Sequence, residues 1–273
     1  MDEGPLGIGE APSGRERFEV ATSAGPSDGG RSGDLDTLRS LVDAGVDRIR
    51  EVPYGSNAVF ILELAVADPE LAGEPMRAVY KPARGERPLW DFPRHTLYLR
   101  EAATYLVDAA LDLGYVPPTT LRDGPLGPGS VQLFVHAAER RPTPKETERL
   151  ERHLRGVAAL DVLVNNADRK RSHLMVTRGI RLRAIDNALS FLPYPRQRTA
   201  LLSLGGSPLS ASFTKRLRAL RDDTVALSML RTRLSRMLSD AEVDAFGHRV
   251  TELAADPTYP VLDDWDGRPF DWW

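Results

Sequence analysis

Alternating apolar and polar positions mark the first strands of this chain. Residues 76–81 read Met-Arg-Ala-Val-Tyr-Lys and alternate with a period of two, which predicts a half-buried strand that ends at Pro82. Residues 58–67 are rich in apolar, β-branched and aromatic side chains and predict an earlier strand. Residues 130–135 predict a third, apolar strand. The first two strands imply a hairpin that turns at residues 70–75.

Helical periodicity follows these strands. Residues 97–113 carry apolar side chains at three- and four-residue spacing, and Gly114 is a natural C-cap. A shorter recurrence over residues 35–52 predicts a helix that could turn into a strand from residue 46. Further helices are predicted over the ranges 143–163, 210–237 and 240–254. Because strands precede helices, the sequence predicts an α+β fold with two lobes.

Composition and charge narrow the class of protein. The 273 residues have an ordinary apolar content of 41% and a net charge of −3, and no segment approaches the roughly 20 apolar residues of a membrane span. The chain has no cysteine, which excludes disulfides, thiolate metal sites and cysteine nucleophiles. Residues 1–34 are rich in Gly, Ser, Pro and Glu and predict a disordered tail. We therefore expect a cytoplasmic protein with no transmembrane segment, and the balanced charge gives no indication of nucleic-acid binding.

Two aspartates beside apolar runs are the first candidates for chemistry. Asp168 lies in the sequence Asn-Asn-Ala-Asp-Arg, and Asp186 follows eighteen residues later in Ala-Ile-Asp-Asn-Ala-Leu. A strand pair with a short turn can bring both acids to one cleft, where Asp186 could bind magnesium and Asp168 could orient an acceptor hydroxyl. Taken singly, each acid is more often a turn or cap residue. The basic cluster at residues 169–171 adjoins this pair.

Lys81 is a cation in an otherwise apolar strand and needs a reason to be tolerated there. A carboxylate at Glu101, in the next predicted helix, could compensate its charge and hold the ammonium toward phosphates. The alternative is a lysine that reaches solvent at a strand end.

A small-residue turn at Gly55, Ser56 and Asn57 precedes the strand at residues 58–67. Such residues let the backbone approach closely and direct N–H groups at an anion, so this turn could cover phosphates. A plain hairpin turn is the alternative reading. The chain contains neither a Walker A pattern nor G-x-G-x-x-G.

Among the five histidines, His173 lies nearest to the two aspartates in sequence. It could be a second metal ligand or a hydrogen-bonding partner within the site. The other four histidines form no metal-binding spacing, and no G-x-S-x-G nucleophile elbow occurs, which disfavours hydrolase chemistry.

In their order, these blocks resemble the phosphatidylinositol 3-/4-kinase-like superfamily, and most closely the type II phosphatidylinositol 4-kinases. The resemblance covers roughly residues 53–191 and rests on the segments 78–82, 100–108, 130–135, 166–169 and 184–191. The whole chain is also similar to an actinobacterial group of unknown substrate that carries this kinase core. The resemblance implies a two-lobed protein-kinase-like fold, with a β-rich N-lobe at residues 35–136 and a helical C-lobe at residues 137–273.

The same resemblance implies roles for individual residues. Lys81 and Glu101 would be the phosphate-anchoring pair, Asp168 the catalytic base or acceptor positioner, and Asp186 the metal ligand. The implied cofactors are ATP and Mg²⁺, or Mn²⁺ in its place. Backbone groups of the hinge would hold the adenine edge at Phe134, Val135 and His136.

One position departs from the family pattern. Five residues after the catalytic aspartate, the lipid kinases place a metal-binding Asn, whereas this chain has His173. An imidazole binds Mg²⁺ poorly, so the second metal is absent, Mn²⁺ is used, or His173 has another role.

The sequence leaves the acceptor and the activity open. The acceptor hydroxyl could belong to a lipid headgroup, a protein or a small metabolite, and Arg196 and Arg198 could meet an anionic acceptor. The alternative from another class is a pseudokinase that acts as a nucleotide-binding or scaffolding module.

Overall fold

A five-stranded antiparallel sheet forms the first half of the protein. The computed structural model describes residues 32–53, 55–65 and 75–269, so most of the tail predicted for residues 1–34 and most of the turn predicted at residues 70–75 lie outside the described residues. The strand order is β1-β2-β3-β5-β4. The strands are β1 (Val46–Glu51), β2 (Phe60–Leu64), β3 (Met76–Pro82), β4 (Thr119–Gly124) and β5 (Gly127–Leu133).

Strand β3 lies at the centre of this sheet and shows the alternation that its sequence predicts. Ala78 and Tyr80 are buried, whereas Lys81 points to the other face and is half-buried. The Tyr80 hydroxyl donates to the carbonyl of Gly127, so this buried ring keeps a partner for its polar end. The alternation fixes the face on which Lys81 lies.

Helix α2 (Leu97–Ala110) packs against β4 and β5, and twelve of its fourteen residues are buried. Helix α1 (Ser32–Asp43) lies against the same two strands. The Glu86 carboxylate accepts the N–H of Tyr98 at 2.8 Å and so satisfies a donor in the first turn of α2. At the other end, the Asp108 carboxylate accepts two backbone N–H groups of the turn that leads to β4, from Gly114 and Tyr115.

The second half is helical around a small hairpin. Helix α3 (Pro144–Val164) begins with a capping box and ends at Asn165, which has a left-handed backbone. The strands β6 (Leu174–Val176) and β7 (Leu182–Ala184) pair antiparallel. The remaining helices are α4 (Ala211–Asp222), α5 (Thr224–Leu234) and α6 (Asp240–Ala255).

A buried arginine joins the two halves. Arg100 on α2 is 1% exposed and donates to the carboxylate of Glu242 on α6 and to the carbonyl of Ser190. The main apolar core also contains side chains from both halves, among them Tyr80 and Phe246. The α+β architecture with a β-rich first half and a helical second half is as the sequence predicts.

Two elements differ from the sequence prediction. Residues 119–124 form a strand, β4, that was not predicted. The helix expected over residues 210–237 is two helices, because Asp223 has a non-helical backbone and its side chain caps α5 by accepting the N–H of Ala226 at 2.9 Å. The helix expected within residues 35–52 spans Ser32–Asp43, and the strand expected from residue 46 is β1.

Within the described ranges 32–53, 55–65 and 75–269, no helix is both long enough and apolar enough to cross a membrane.

Candidate active site

An ion network joins strand β3, helix α2 and the segment after β7. The Lys81 ammonium bonds the carboxylate of Glu101 and lies 2.8 Å from Oδ1 of Asp186. The Glu101 side chain is 2% exposed, so its charge is held away from water and needs this partner. The structure therefore brings together three residues that are far apart in sequence and that the sequence analysis singled out.

The network favours the charged forms of Lys81 and Asp186. Burial alone would lower the pKa of Lys81, but the carboxylates of Asp186 and Glu101 outweigh burial and raise it. The Lys81 ammonium in turn lowers the pKa of Asp186, against the opposing effect of burial. Both groups are charged at neutral pH.

Asp186 lies two residues after β7 in a left-handed backbone conformation, with φ of 56°. Asp tolerates this conformation better than most residues, and such backbones concentrate at functional sites. The next residue is fixed as well, because the N–H of Asn187 donates to Oε2 of Glu101 at 2.9 Å. Glu101 thus holds the Asp186 segment through the backbone and through Lys81.

Asp168 follows the end of α3. Its backbone N–H donates to Oδ1 of Asn166 at 2.9 Å, and its carboxylate lies 3.1 Å from the Lys170 ammonium. The side chain is 16% exposed. Of its carboxylate oxygens, Oδ1 is buried and Oδ2 faces the Lys170 ammonium.

Arg169 connects the Asp168 loop to the Asp186 segment, and the sequence analysis did not assign it a role. Its guanidinium is fully buried, donates to both oxygens of Asp161, and reaches the carbonyl of Ile185 at 2.8 Å and Oδ1 of Asn187 at 2.5 Å. Burial opposes its charge, but Asp161 outweighs burial and raises the pKa of Arg169. The only sequence signal was its place in the basic cluster beside Asp168.

His173 lies against Asp186. Its Nε2 is 3.3 Å from Oδ2 of Asp186, and its side chain is 11% exposed. Burial, which outweighs the opposing effect of the Asp186 carboxylate, lowers the pKa of His173 to about 4, so the ring is neutral at neutral pH. Its Nδ1 is buried and finds no hydrogen-bond partner among the described residues.

The predicted phosphate-covering turn connects β1 to β2 and is exposed at Gly55 and Ser56. Gly55 has φ of 129°, a backbone conformation in which a residue with a side chain would be strained. Oδ1 of Asn57 accepts the N–H of Arg87 at 2.7 Å, so this side chain ties the turn to the segment after β3.

The predicted hinge residues lie where the chain leaves β5. The N–H of Phe134 donates to the carbonyl of Arg77, and the carbonyl of His136 accepts the N–H of Arg178. The rings of Phe134 and His136 meet edge to face at 5.0 Å, and Phe134, Val135 and His136 are all half-buried. The segment thus contacts both the sheet and the turn that joins β6 to β7.

The two arginines considered for acceptor binding have partners within the protein. Arg198 is 8% exposed, and its Nε donates to the carbonyl of Asp266 at 3.1 Å. Arg196 lies over the ring of Trp90 at 5.3 Å, with its Nε 3.7 Å from the carboxylate of Asp91. The Arg198 side chain is thus held by the C-terminal segment, and Arg196 lies beside the exposed ring of Trp90.

Few side chains in this site are placed to bind a metal ion. Across the described ranges, no group of three or more His, Asp or Glu side chains is placed to hold a metal ion. Asp186 and His173 form a pair only. Of this pair, only the Asp186 carboxylate supplies the oxygen ligands that a hard cation such as Mg²⁺ prefers.

Comparisons with known proteins agree with this architecture. The chain is 30% identical over 268 residues to Protein Rv2133c of Mycobacterium tuberculosis, covering 85% of this chain and 93% of the relative. No family model matches the chain.

Solved structures share this fold, and a Golgi casein kinase is among them. The structure of hydra Fam20 with sugar has a TM-score of 0.58 at 16% identity, covering 89% of this chain and 93% of the other. The Golgi casein kinase with Mn and ADP bound has a TM-score of 0.54 at 14% identity, covering 89% and 80%. The two-lobed protein-kinase-like fold is thereby confirmed.

Proposed function

The chain belongs to the family of Protein Rv2133c of Mycobacterium tuberculosis, and from its kinase-like fold and site we propose that it is an ATP-dependent phosphotransferase acting on a hydroxyl acceptor. The observation that carries this proposal is the Lys81 ammonium held between Glu101 and Asp186. Kinases need a phosphate-anchoring lysine paired with a helix glutamate and a metal-binding aspartate together in one cleft. The network has these parts, each supplied by a different element.

Lys81 and Glu101 would act as a unit on the nucleotide. Glu101 is buried and holds the ammonium in place, so that Lys81 can meet phosphate oxygens without losing its charge compensation. Because Asp186 is 48% exposed, it can leave Lys81 for another cation. A divalent cation at Asp186, Mg²⁺ or Mn²⁺, would supply positive charge against the phosphates of ATP. The Golgi casein kinase structure with Mn and ADP bound is consistent with this choice of ligands.

His173 has a proposed role other than metal ligation. A neutral imidazole carries one proton, and a metal bound at Nε2 would force that proton onto the buried Nδ1, which has no acceptor among the described residues. With the proton on Nε2, the ring N–H faces the Asp186 carboxylate, whose Oδ2 lies 3.3 Å away. We assign His173 the role of orienting Asp186, which leaves one metal position in this site.

Asp168 is the proposed base. It would accept the proton of the acceptor hydroxyl while the acceptor oxygen bonds to the γ-phosphorus. The bond from that phosphorus to the β–γ bridging oxygen breaks at the same time, and ADP leaves. Lys170, 3.1 Å from Asp168, keeps positive charge beside the transferring group.

The remaining nucleotide contacts follow the kinase arrangement. The turn at Gly55 and Ser56, between β1 and β2, would cover the phosphates with backbone N–H groups. Backbone groups of Phe134, Val135 and His136 would meet the adenine edge. Asn57 would act through its bond to Arg87, since its side chain is already engaged.

The finer assignment to the phosphatidylinositol 3-/4-kinase-like type rests on the sequence blocks around Lys81, Glu101, Asp168 and Asp186. Membership of that type does not determine the acceptor. A lipid headgroup, a protein hydroxyl and a small metabolite remain the three candidate acceptors. Radiolabel transfer from γ-labelled ATP to separate lipid, protein and metabolite fractions distinguishes the three.

Nucleotide binding is the direct test of the cleft. A thermal-shift titration of the full chain with ATP and either Mg²⁺ or Mn²⁺ should raise the melting temperature, because a ligand that binds only the folded state stabilises it. Lys81→Met should abolish the shift, and Asp186→Asn should abolish the part that depends on metal. Asp36→Asn, an exposed acid on α1, is the matched control and should behave as wild type.

The pseudokinase alternative gives a different pattern in the same experiment. It predicts the metal-dependent shift without transfer to any acceptor fraction. Absence of any shift with ATP in the wild-type chain would contradict the phosphotransferase and the nucleotide-binding form of the pseudokinase, and would leave only a scaffolding module.

A further inference from the structure

A second pocket lies away from the Lys81 cluster, between the connection from α2 to β4, helix α3, and the β6–β7 hairpin. We call it the rear pocket, and it has a volume of ≈ 610 Å³. None of its lining residues belongs to the candidate active site. The side chains that matter here are Tyr115, Arg149, His153, Arg181 and Arg183. A volume of about 300–1,000 Å³ is typical of a small-molecule site.

The lining of the rear pocket carries an excess of positive charge. Three arginines line it against two aspartates, Asp34 and Asp112. Asp112 is already engaged, because its carboxylate lies 2.6 Å from the guanidinium of Arg216. The arginines come from α3 and from the hairpin, so they converge from two separate elements.

Two of these arginines have no acidic partner among the described residues. The guanidinium of Arg149 donates to the carbonyl of Ile180 at 2.9 Å, a neutral acceptor that orients the side chain without compensating its charge. The side chain of Arg181 makes no hydrogen bond or ion pair with any residue that the structure describes. Both cations are therefore available to an anion.

The pKa of His153, a residue that lines the pocket, is lowered by the same excess of positive charge. Burial lowers its pKa, and the cations of Arg149, Arg152 and Arg181 lower it further. No carboxylate opposes them. Positive potential at this ring arises from both sides of the pocket.

Tyr115 contributes an aromatic ring to the lining of the pocket. Its ring lies 6.0 Å from that of His153 and contacts α3 at Gly156. A Cβ at Gly156 would lie 2.0 Å from the Tyr115 hydroxyl, so only glycine lets the ring lie there. The lining of the pocket thus combines an aromatic ring with cations.

We propose that the rear pocket binds a phosphate group, with Arg149 and Arg181 as its ligands. Guanidinium groups bind phosphate through paired, charge-assisted hydrogen bonds, and two converging arginines without acidic partners suit a dianion. The group is carried by a small molecule or is inorganic phosphate. The pocket has room beside Tyr115 for more than the anion alone.

The test is calorimetric titration of the full chain at constant ionic strength, with inorganic phosphate and with glucose 6-phosphate as probes. Arg181→Gln and Arg149→Gln should each weaken binding by about tenfold, the effect of losing a charge-assisted hydrogen bond. Arg178→Gln is the matched control, because this arginine lies on the same hairpin but pairs with Glu139 at 3.0 Å, outside the pocket. It should leave the affinity unchanged.

The two probes separate the sources of the phosphate. Tighter binding of glucose 6-phosphate identifies a phosphorylated small molecule, and tighter binding of inorganic phosphate identifies the free anion. Circular dichroism checks that each variant is folded. Because Arg149→Gln and Arg181→Gln are separate variants, misfolding of one leaves the other as a test. Failure of both probes to bind the wild-type chain, or equal binding by all variants, would overturn the proposal.

Discussion

Arg169 and Asp161 form a fully buried, bidentate ion pair beside the proposed catalytic loop. Nε of Arg169 lies 3.1 and 2.9 Å from the two carboxylate oxygens of Asp161, and Nη2 lies 2.9 Å from Oδ1. Because the same guanidinium also holds Ile185 and Asn187, the pair ties the end of α3 to the Asp186 segment. The relative position of Asp168 and Asp186 thus depends on Arg169, which has no proposed contact with ATP or with the acceptor.

Removing one partner of this pair should destabilise the protein strongly. Arg169→Gln leaves the Asp161 carboxylate buried without its cation, and we expect the free energy of unfolding to fall by about 3–5 kcal/mol. Urea denaturation followed by circular dichroism measures the change. Arg152→Gln is the matched control, since Arg152 on α3 is 64% exposed and its pair with Glu148 should contribute less than about 1 kcal/mol. A loss below about 1 kcal/mol for Arg169→Gln would contradict the assigned role.

The buried pair of Arg100 on α2 and Glu242 on α6 should also contribute strongly to stability. Arg100→Met leaves Glu242, which is 4% exposed, without its partner, and should cost about 3–5 kcal/mol in unfolding free energy. The double variant Arg100→Met/Glu242→Leu replaces both charges with apolar groups and should regain part of that stability, because the new leucine side chain no longer accepts the N–H of Ser239 at the start of α6. Chemical denaturation of the three proteins measures these changes. A double variant as unstable as the single one would show that the loss has another cause.

His173 predicts a pH dependence of stability. Its pKa is about 4 in the folded protein, below the ordinary value of 6.5. Between these values the unfolded chain binds a proton that the folded protein does not, so the free energy of unfolding falls as the pH falls through this window. Above pH 6.5 the ring is neutral in both the folded and the unfolded protein, so it does not affect stability. The shift of the pKa from 6.5 to about 4 corresponds to a loss of about 3 kcal/mol in unfolding free energy once the pH is below both values.

The contribution of His173 can be isolated by comparison with His173→Asn. Denaturation of both proteins between pH 4 and 8, in EDTA to exclude metal ions, should show a smaller loss of stability on acidification in the variant. The groups that face the ring, Asp186, Arg169, Lys170 and Lys81, are present in both proteins. Parallel curves for the two proteins would contradict the buried, neutral state of His173.

The sequence was sufficient for the ion network and for most elements of the sheet. Lys81 could be identified because a cation in an apolar strand requires a partner, and Glu101 was the carboxylate in the helix that follows. Asp186 could be identified because it follows an apolar run. These signals are local, and the structure brings the three residues together.

The sequence was not sufficient for contacts between distant buried side chains. Nothing near Arg169 and Arg100 in sequence shows that they are buried and paired with Asp161 and Glu242. The bond of Arg198 to the carbonyl of Asp266 depends on how the C-terminal segment folds back, which no local pattern predicts. Strand β4 was missed because its polar residues obscure the alternation, and it is stabilised by pairing with β5.

Transfer of the γ-phosphate tests the central claim most directly. The measurement is radiolabel transfer from γ-labelled ATP with Mg²⁺ or Mn²⁺ to lipid, protein and metabolite fractions, for the wild type, Asp168→Asn, Asp186→Asn and the Asp36→Asn control. We predict label in one acceptor fraction for the wild type and the control, and a loss of about 100-fold or more for both site variants, the scale expected for a general base. Transfer that survives in Asp168→Asn and Asp186→Asn, or its absence from the wild type in the presence of all three fractions, would contradict the proposed phosphotransferase.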